Sequence, residues 1–464
     1  MKSHGTTSKK SYMKALGLSG AGHDLDEVAS STKAEWERSW WVKYVDKPTI
    51  EVDWDNMERY DARVVPQVYY ANYVGQQVSD NLNKLSADRR RKWILENKPG
   101  YTLRDRALNI AVSRGSVMPS FIAKFGPSKK LSSRASRILN PDDVGVPRWE
   151  GTPEENAGMV RAAARYFGAG QVGFVELDEH TEKLIYSYGA DGKKIEFEDV
   201  ALAYETEDRR VIPRKARWVI VFSVQMSEEL LKRGDGLYST ALSGAPNALG
   251  YSQGRNVLDR LQTFLHVLGY QGLGSPWFNG LGIAPALAIM AGLGELSRLN
   301  LLISPEYGPM QRVFRLITDL PLAPTKPIDA GIMRFCRTCK KCALLCPAKV
   351  LSVEDDPSWE IHGKWSNPGH RAYHYTDSAK CMTQWRVSSA GCSTCLSVCP
   401  FSKKHKSFIH SAVEATIAKT SVFNGLFTKM DGLLGYDIPK DPELWWDMDM
   451  PPYGIDSTGG TVLE

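Results

Sequence analysis

Phe335-Cys336-Arg-Thr-Cys339-Lys-Lys-Cys342-Ala-Leu-Leu-Cys346-Pro347, then Cys381, then Gly391-Cys392-Ser-Thr-Cys395-Leu-Ser-Val-Cys399-Pro400 is the stretch on which this chain turns. All eight cysteines of its 464 residues lie here. Two residues between successive cysteines let their thiolates converge on one iron–sulfur cube from a tight loop, and the proline ends that loop. An even cysteine count also allows a disulfide framework. Such staples belong to small secreted domains, and a chain of this length has no need of them. Zinc sites lack the Cys-x3-Cys-Pro continuation.

The first run has the spacing of bacterial two-cluster ferredoxins, whose fourth cysteine serves the other cluster. The second run repeats it with ten residues rather than two after its first cysteine. Crossing the ligands assigns Cys336, Cys339, Cys342 and Cys399 to cluster 1. Cys346, Cys381, Cys392 and Cys395 then hold cluster 2, and both are expected to be [4Fe-4S].

So long a chain carries far more than a ferredoxin, and its length allows about two to four domains. Hydrophobic content of 42% and charged content of 24% are ordinary for a globular protein. A net charge of +5, with basic residues spread out, gives little support to nucleic-acid binding. Thirteen tryptophans and nineteen tyrosines suit aromatic-lined pockets as well as large cores. No apolar run reaches the roughly 18–20 residues of a spanning helix. The longest, Leu281 to Gly294, reads as a buried helix.

Residues 1–30 have the layout of a twin-arginine export leader, with Lys9 and Lys10 where the arginines belong and only a short apolar segment before His23-Asp24. Residues 31–150 form an aromatic, charged N-terminal extension opening on Trp36, Trp40 and Trp41. In it, Asp88-Arg89-Arg90-Arg91-Lys92-Trp93 reads as a solvated helical face. Thr152 is a good N-cap, Pro153 suits the first helical position, and the glutamates after it complement the helix dipole. Met159, Val160, Ala163 and Phe167 continue at helical spacing to a stop at Gly168 or Gly170. Val172–Leu177 and Trp218–Val224 read as strands, the second a buried central one. The segment 178–213 between them is a charged, turn-rich insertion. Ser252 is read as the cap of a helix running to Leu268, a further helix follows Asn279-Gly280, and Leu299–Ser304 is a strand. The sum is an α+β or α/β layer structure up to 330, a two-cluster ferredoxin-like module over 331–405 that takes its start after Pro327, and a C-terminal wrap over 406–464. The wrap contains a helix, His410–Lys419, and an acidic tryptophan-bearing end.

No Gly-x-Gly-x-x-Gly follows a strand and no Walker loop is present, so nicotinamide, Rossmann-bound flavin and ATP lack support. The runs Leu320-Pro-Leu-Ala-Pro-Thr-Lys-Pro-Ile-Asp-Ala-Gly331, Gly292-Leu-Gly-Glu-Leu-Ser-Arg298, Ser304-Pro-Glu-Tyr-Gly-Pro309 and Trp149-Glu-Gly-Thr-Pro-Glu-Glu-Asn156 resemble corrinoid-dependent reductive dehalogenases. The chain is most similar to organohalide-respiring members that act on chlorinated ethenes. The resemblance implies a cobalamin-type corrinoid, base-off, in a nitroreductase-like α/β/α domain over 151–330. The Asp-x-His-x-x-Gly signature of His-on corrinoid proteins is absent. Its nearest approach, Asp178-Glu-His180, lacks the glycine. Without an axial imidazole the four-coordinate Co(I) state is easier to reach.

By the same resemblance Tyr251 falls on the proton-donor tyrosine, Arg312 on its basic partner, and Asn279 on the asparagine that orients the site. Tyr251 and Asn279 are then expected near the corrinoid, and Trp385 matches a pocket-lining tryptophan. Replacing halogen by hydrogen takes two electrons and one proton, so a general acid is required. A phenol of ordinary pKa about 10 needs help at neutral pH, which an adjacent guanidinium supplies. The implied partners are a small organohalide, a small integral membrane anchor protein and an upstream hydrogenase or quinol-linked donor. The implied place is the exoplasmic face of the cytoplasmic membrane, and the lysine pair makes the cytoplasm the alternative for this copy. Two rival readings stand: an epoxyqueuosine reductase-like enzyme acting on tRNA, and a non-catalytic iron–sulfur electron-transfer subunit.

Overall fold

A computed structural model describes residues 38–106, 120–122, 141–144, 147–234, 240–274, 280–389, 391–402, 408–450 and 453. The N-terminal segment contributes strand β1 (Lys43–Tyr44) and helix α1 (Gln76–Leu95). Helix α2 (Pro153–Tyr166) starts as its sequence dictates. The Thr152 hydroxyl accepts from the Glu155 amide, the Glu155 carboxylate accepts from the Thr152 amide, and Pro153 needs no partner. Gly168, at φ 114°, ends the turn that follows.

A four-stranded antiparallel sheet forms the centre, in the order β2 (Gln171–Glu176), β6 (Trp218–Gln225), β10 (Gln311–Thr318), β7 (Gly272–Leu273). Strand β6 is apolar along most of its length because both faces are covered. On one face lie α2 and the 27-residue helix α3 (Ala241–Val267), enclosing Val160, Phe222, Leu261 and Phe314. On the other lies α4 (Ala284–Met290), with Val221, Leu287 and Ile317. The segment 178–213 folds as a small sheet, β3 (Lys194–Glu198), β5 (Arg209–Pro213) and β4 (Tyr204–Glu205), whose Ile195 and Ile212 join that second core.

Several expectations are corrected. The long helix starts at Ala241, capped by the Thr240 hydroxyl, and Ser252 sits inside it, donating to the Leu249 carbonyl at 3.0 Å. The small residues before Ser252 hid the first turns. The helix lies hard on β10, which small residues allow: a Cβ at Gly250 would stand 3.0 Å from the Arg312 side chain, and one at Gly254, beyond Ser252, 1.9 Å from the Phe314 ring. Leu281–Gly294 is helical only over α4, and the strand expected over Leu299–Ser304 is only β9 (Leu302–Ile303), paired with β8 (Glu295–Leu296). The basic run in α1 is not wholly solvated, since Arg89 donates to the Val387 carbonyl (2.7 Å) and Arg90 to that of Ser389 (3.3 Å). Trp36 and the leader-like segment lie outside the described residues.

Strand β11 (Ile328–Asp329) pairs with β1 and leads into the cysteine-bearing helices α5 (Ile332–Cys339), α6 (Lys341–Leu344), α7 (Ser378–Ser388) and α8 (Thr394–Ser397). Helices α9 (Phe408–Lys419) and α10 (Asn424–Leu433) follow. The chain then runs back over the body. Lys440 pairs with Glu229 (2.7 Å), Glu443 with Arg104, and the Trp446 indole donates to Asp105 (2.8 Å). Among the described residues no helix is long and apolar enough to cross a membrane.

Candidate redox and corrinoid site

The eight thiols are all free and none is exposed. Their mutual influence sorts them into two sets. Cys399 feels Cys336, Cys342 and Cys339, whereas Cys381 feels Cys392 and Cys346, and Cys392 feels Cys346. Cys395 feels Cys392 and Cys381 most, then Cys342 and Cys346, so the two sets adjoin there. Burial and neighbouring thiols push Cys342 and Cys381 up to about 12. Four buried sulfurs in one place become thiolates only with metal charge among them. Among the described residues no three His, Cys, Asp or Glu side chains could hold a single metal ion. A cube, in which each thiolate binds a different iron, fits sulfurs set apart in this way.

The elements that carry the first set are held from the β8–β9 hairpin. Ser297 and Leu301 close a tight turn, with Asn300 at φ 53°. From that turn Arg298 enters the module, 1% exposed, and stacks on Tyr373 at 3.8 Å. It donates to the carbonyls of Cys336 (3.0 Å), Arg337 (3.3 Å), Ser352 (2.7 Å) and Glu354 (2.8 Å).

A cavity of about 440 Å³ opens between the central sheet, the N-terminal segment and the module, a size typical of ligand sites. Ile50, Val52 and Trp54 form one wall. Tyr186, Tyr251, Arg312 and Arg315 form another, and Cys381, Cys392, Cys395 and Trp385 a third. Tyr251 stands on α3 beside β10, edge-on to Phe314 with ring centroids 6.2 Å apart. The Arg312 guanidinium lies over the Tyr251 ring at 5.0 Å. Its Nη2 donates to Asn247, one helical turn before Tyr251. Trp385, one turn after Cys381 on α7, is 38% exposed. The structure thus brings together Tyr251, Arg312, Trp385 and three of the cysteines. Asn279 lies outside the described residues, next to Gly280.

Sequence reading missed Asn247, Tyr186, His370 and Arg315. The alternation of β10 separates its two arginines. Arg312 shares a face with Phe314 and Leu316 toward α3, and Arg315 a face with Val313 and Ile317 toward α4. Arg315 is 4% exposed, and a Cβ on Gly280 would meet its guanidinium at 2.8 Å. Its Nε and Nη2 find no acceptor among the described residues. Burial lowers its pKa and raises that of Tyr186 beside it. His370 lines the cavity with its imidazole pushed down to about 4, first by burial and then by His374. Aromatic walls with buried, unsatisfied guanidinium donors fit a large macrocycle that carries amide or phosphate oxygens at its rim.

A model described as reductive dehalogenase subunit matches residues 37–322, and one described as 4Fe-4S double cluster binding domain matches residues 335–402. The chain is 33% identical over 534 aligned residues to the chloroethene reductive dehalogenase of Dehalococcoides mccartyi (strain VS), covering 98% of this chain and 99% of that one. It is 34% identical over 320 residues to the tetrachloroethene reductive dehalogenase of Sulfurospirillum multivorans, covering 66% of this chain and 62% of the other. Among solved structures, the catabolic reductive dehalogenase NpRdhA, N-terminally tagged, superposes with a TM-score of 0.58 at 20% identity. That match covers 95% of this chain, which spans a little over half (57%) of the NpRdhA chain, and it shows a shared fold.

Proposed function

Because this chain belongs to the reductive dehalogenase family, we propose that it replaces halogen by hydrogen in a small organohalide, a chlorinated ethene or a related compound. The electrons arrive through two [4Fe-4S] clusters, and the residues lining the cavity would hold a cobalamin-type corrinoid. The organohalide takes up two electrons and one proton and leaves as the hydrogen-substituted product and a halide ion. The observation that carries this reading is one cavity lined both by Tyr251 and Arg312 and by Cys381, Cys392 and Cys395. Cluster 2 then lies nearest the cavity, and cluster 1, held by Cys336, Cys339, Cys342 and Cys399, takes electrons from outside.

A bound corrinoid supplies a strongly reducing cobalt centre as the source of the electron pair. The protein's own residues do the rest. Tyr251 holds the proton at its phenolic oxygen and gives it to the carbon. The Arg312 cation over the ring stabilises the negative charge left behind. Asn279 orients the site, and Arg315 and Tyr186, which line the cavity, would help to hold the macrocycle. Trp385, Trp54 and Val52 exclude water and suit small, polarisable, apolar substrates.

The reading extends to a small integral membrane anchor protein and to a hydrogenase or quinol-linked donor, on the strength of the family. The match over residues 37–322 favours it over a tRNA-modifying reductase and over a bare electron carrier. The test is an anaerobic panel of chlorinated ethenes, ethanes and benzenes assayed with reduced methyl viologen, alongside cobalt, iron and sulfide per chain. Halide release with one corrinoid and eight irons per chain (two four-iron clusters) supports the proposal. Cobalt-free protein, or tRNA binding without halide release, overturns it.

A further inference from the structure

Arg298 is a buried cation without a buried anion. A guanidinium cannot shed its charge, and taking that charge out of water is costly unless an opposite charge lies near. All four of its hydrogen-bond acceptors are neutral carbonyls, of Cys336, Arg337, Ser352 and Glu354. No carboxylate among the described residues forms an ion pair with it. Asp355, which feels its charge, is exposed and bound to Lys340 at 2.5 Å. Lys341, a buried cation between Cys339 and Cys342, is by contrast matched by Asp431 and by Asp437 at 3.0 Å.

We propose that Arg298 is the built-in counter-charge of the cluster held by Cys336, Cys339, Cys342 and Cys399, and that it raises that cluster's reduction potential above that of its neighbour. This rests on the reading that the two cysteine sets hold [4Fe-4S] clusters. Four thiolates around an oxidised cube leave it two negative charges, and one more electron makes three. A fixed cation among the backbone groups of Cys336 and Arg337 therefore favours the reduced form. Among the described residues no Arg or Lys side chain donates to a carbonyl of Cys346, Cys381, Cys392 or Cys395 as Arg298 does to those of Cys336 and Arg337. The residue that caps the helix bearing Cys381 is instead an acid, Asp377, whose side chain accepts from the Lys380 amide at 2.9 Å. The first electron from the donor then rests on the outer cluster, away from whatever the cavity holds.

The experiment is a redox titration of the holoenzyme followed by electron paramagnetic resonance, with iron and sulfide quantified in each preparation. Arg298→Gln is expected to move the upper of two one-electron waves to lower potential by about a tenfold change in the reduced-to-oxidised ratio, about 59 mV. The lower wave is expected to stay, and Arg298→Lys to restore the upper one. An unmoved upper wave, or two waves moving together, overturns the proposal. Should Arg298→Gln fail to assemble, Cys399→Ala in the wild-type background decides: the upper wave must be the one altered, and alteration of the lower wave overturns the proposal. Absence of iron and sulfide from the wild-type protein sinks the cluster reading instead.

Discussion

Glu295 and Arg298, three residues apart on one hairpin, grip the two ends of the same cysteine-bearing helix. The Glu295 carboxylate accepts from the amides of Ala330 (2.7 Å), Ile332 (3.1 Å) and Met333 (3.4 Å) at the start of α5, and from the Thr49 hydroxyl (2.7 Å). Arg298 holds the carbonyls of Cys336 and Arg337 near its other end. A carboxylate at a helix N-terminus and a cation at its C-terminal half both complement the dipole. Glu295→Ala leaves several buried donors unmet and is expected to destabilise the protein by about 1–3 kcal/mol. Glu295→Gln, which keeps an acceptor, is expected to lose less. Chemical denaturation measures both, and equal losses would argue that packing rather than acceptance matters.

Tyr251→Phe removes the proton and little else. Iron, sulfide and corrinoid content are expected to match the parent while turnover falls about 10²–10⁴-fold. Full turnover in that variant would show that the proton comes from elsewhere.

Asn247 fixes Arg312 through its side-chain oxygen, and the Arg312 Nε has no other partner among the described residues. Asn247→Ala is expected to lower kcat/KM about tenfold, the loss of one buried charge-assisted hydrogen bond. Arg312→Leu should lose more. If Asn247→Ala and Arg312→Leu add fully in the double variant, the two side chains act independently.

The His370 and His374 rings stand 4.9 Å apart, and burial lowers both imidazoles. With His370 at about 4 in the folded protein and about 6.5 when unfolded, the unfolded chain binds a proton that the folded one refuses. Stability is therefore present above pH 6.5 and falls as the pH drops toward 4, by at most about 3 kcal/mol from this group. Thermal melts across that range should show a shallower loss for His370→Asn than for the parent. Parallel curves would show that His370 carries none of the acid sensitivity.

Gly254 lets α3 lie on β10. Gly254→Ala places a methyl against Phe314 and is expected to cost about 1–3 kcal/mol, and Gly254→Ala combined with Phe314→Leu should recover part of it. A neutral Gly254→Ala would mean that helix and strand can separate without loss.

Much of this was legible in the chain because its signals are local. The cysteine spacings, the Thr152-Pro153-Glu155 start and the apolar run of β6 each act over a few residues, and the helix start and the strand were found where expected. The start of α3 was not, because Gly244, Pro246 and Gly250 weaken helical propensity and only packing on β10 offsets it. Arg312 was singled out by motif, yet nothing in the order of residues said that Arg315, three places on, faces the opposite side of the sheet into the same cavity. The sequence by itself determined which atoms are available: eight thiols, a phenol, and buried cations with too few anions. Only the tertiary structure decided which of them meet, because a cavity exists between elements far apart in the chain, and charges matter by distance through space rather than along the backbone.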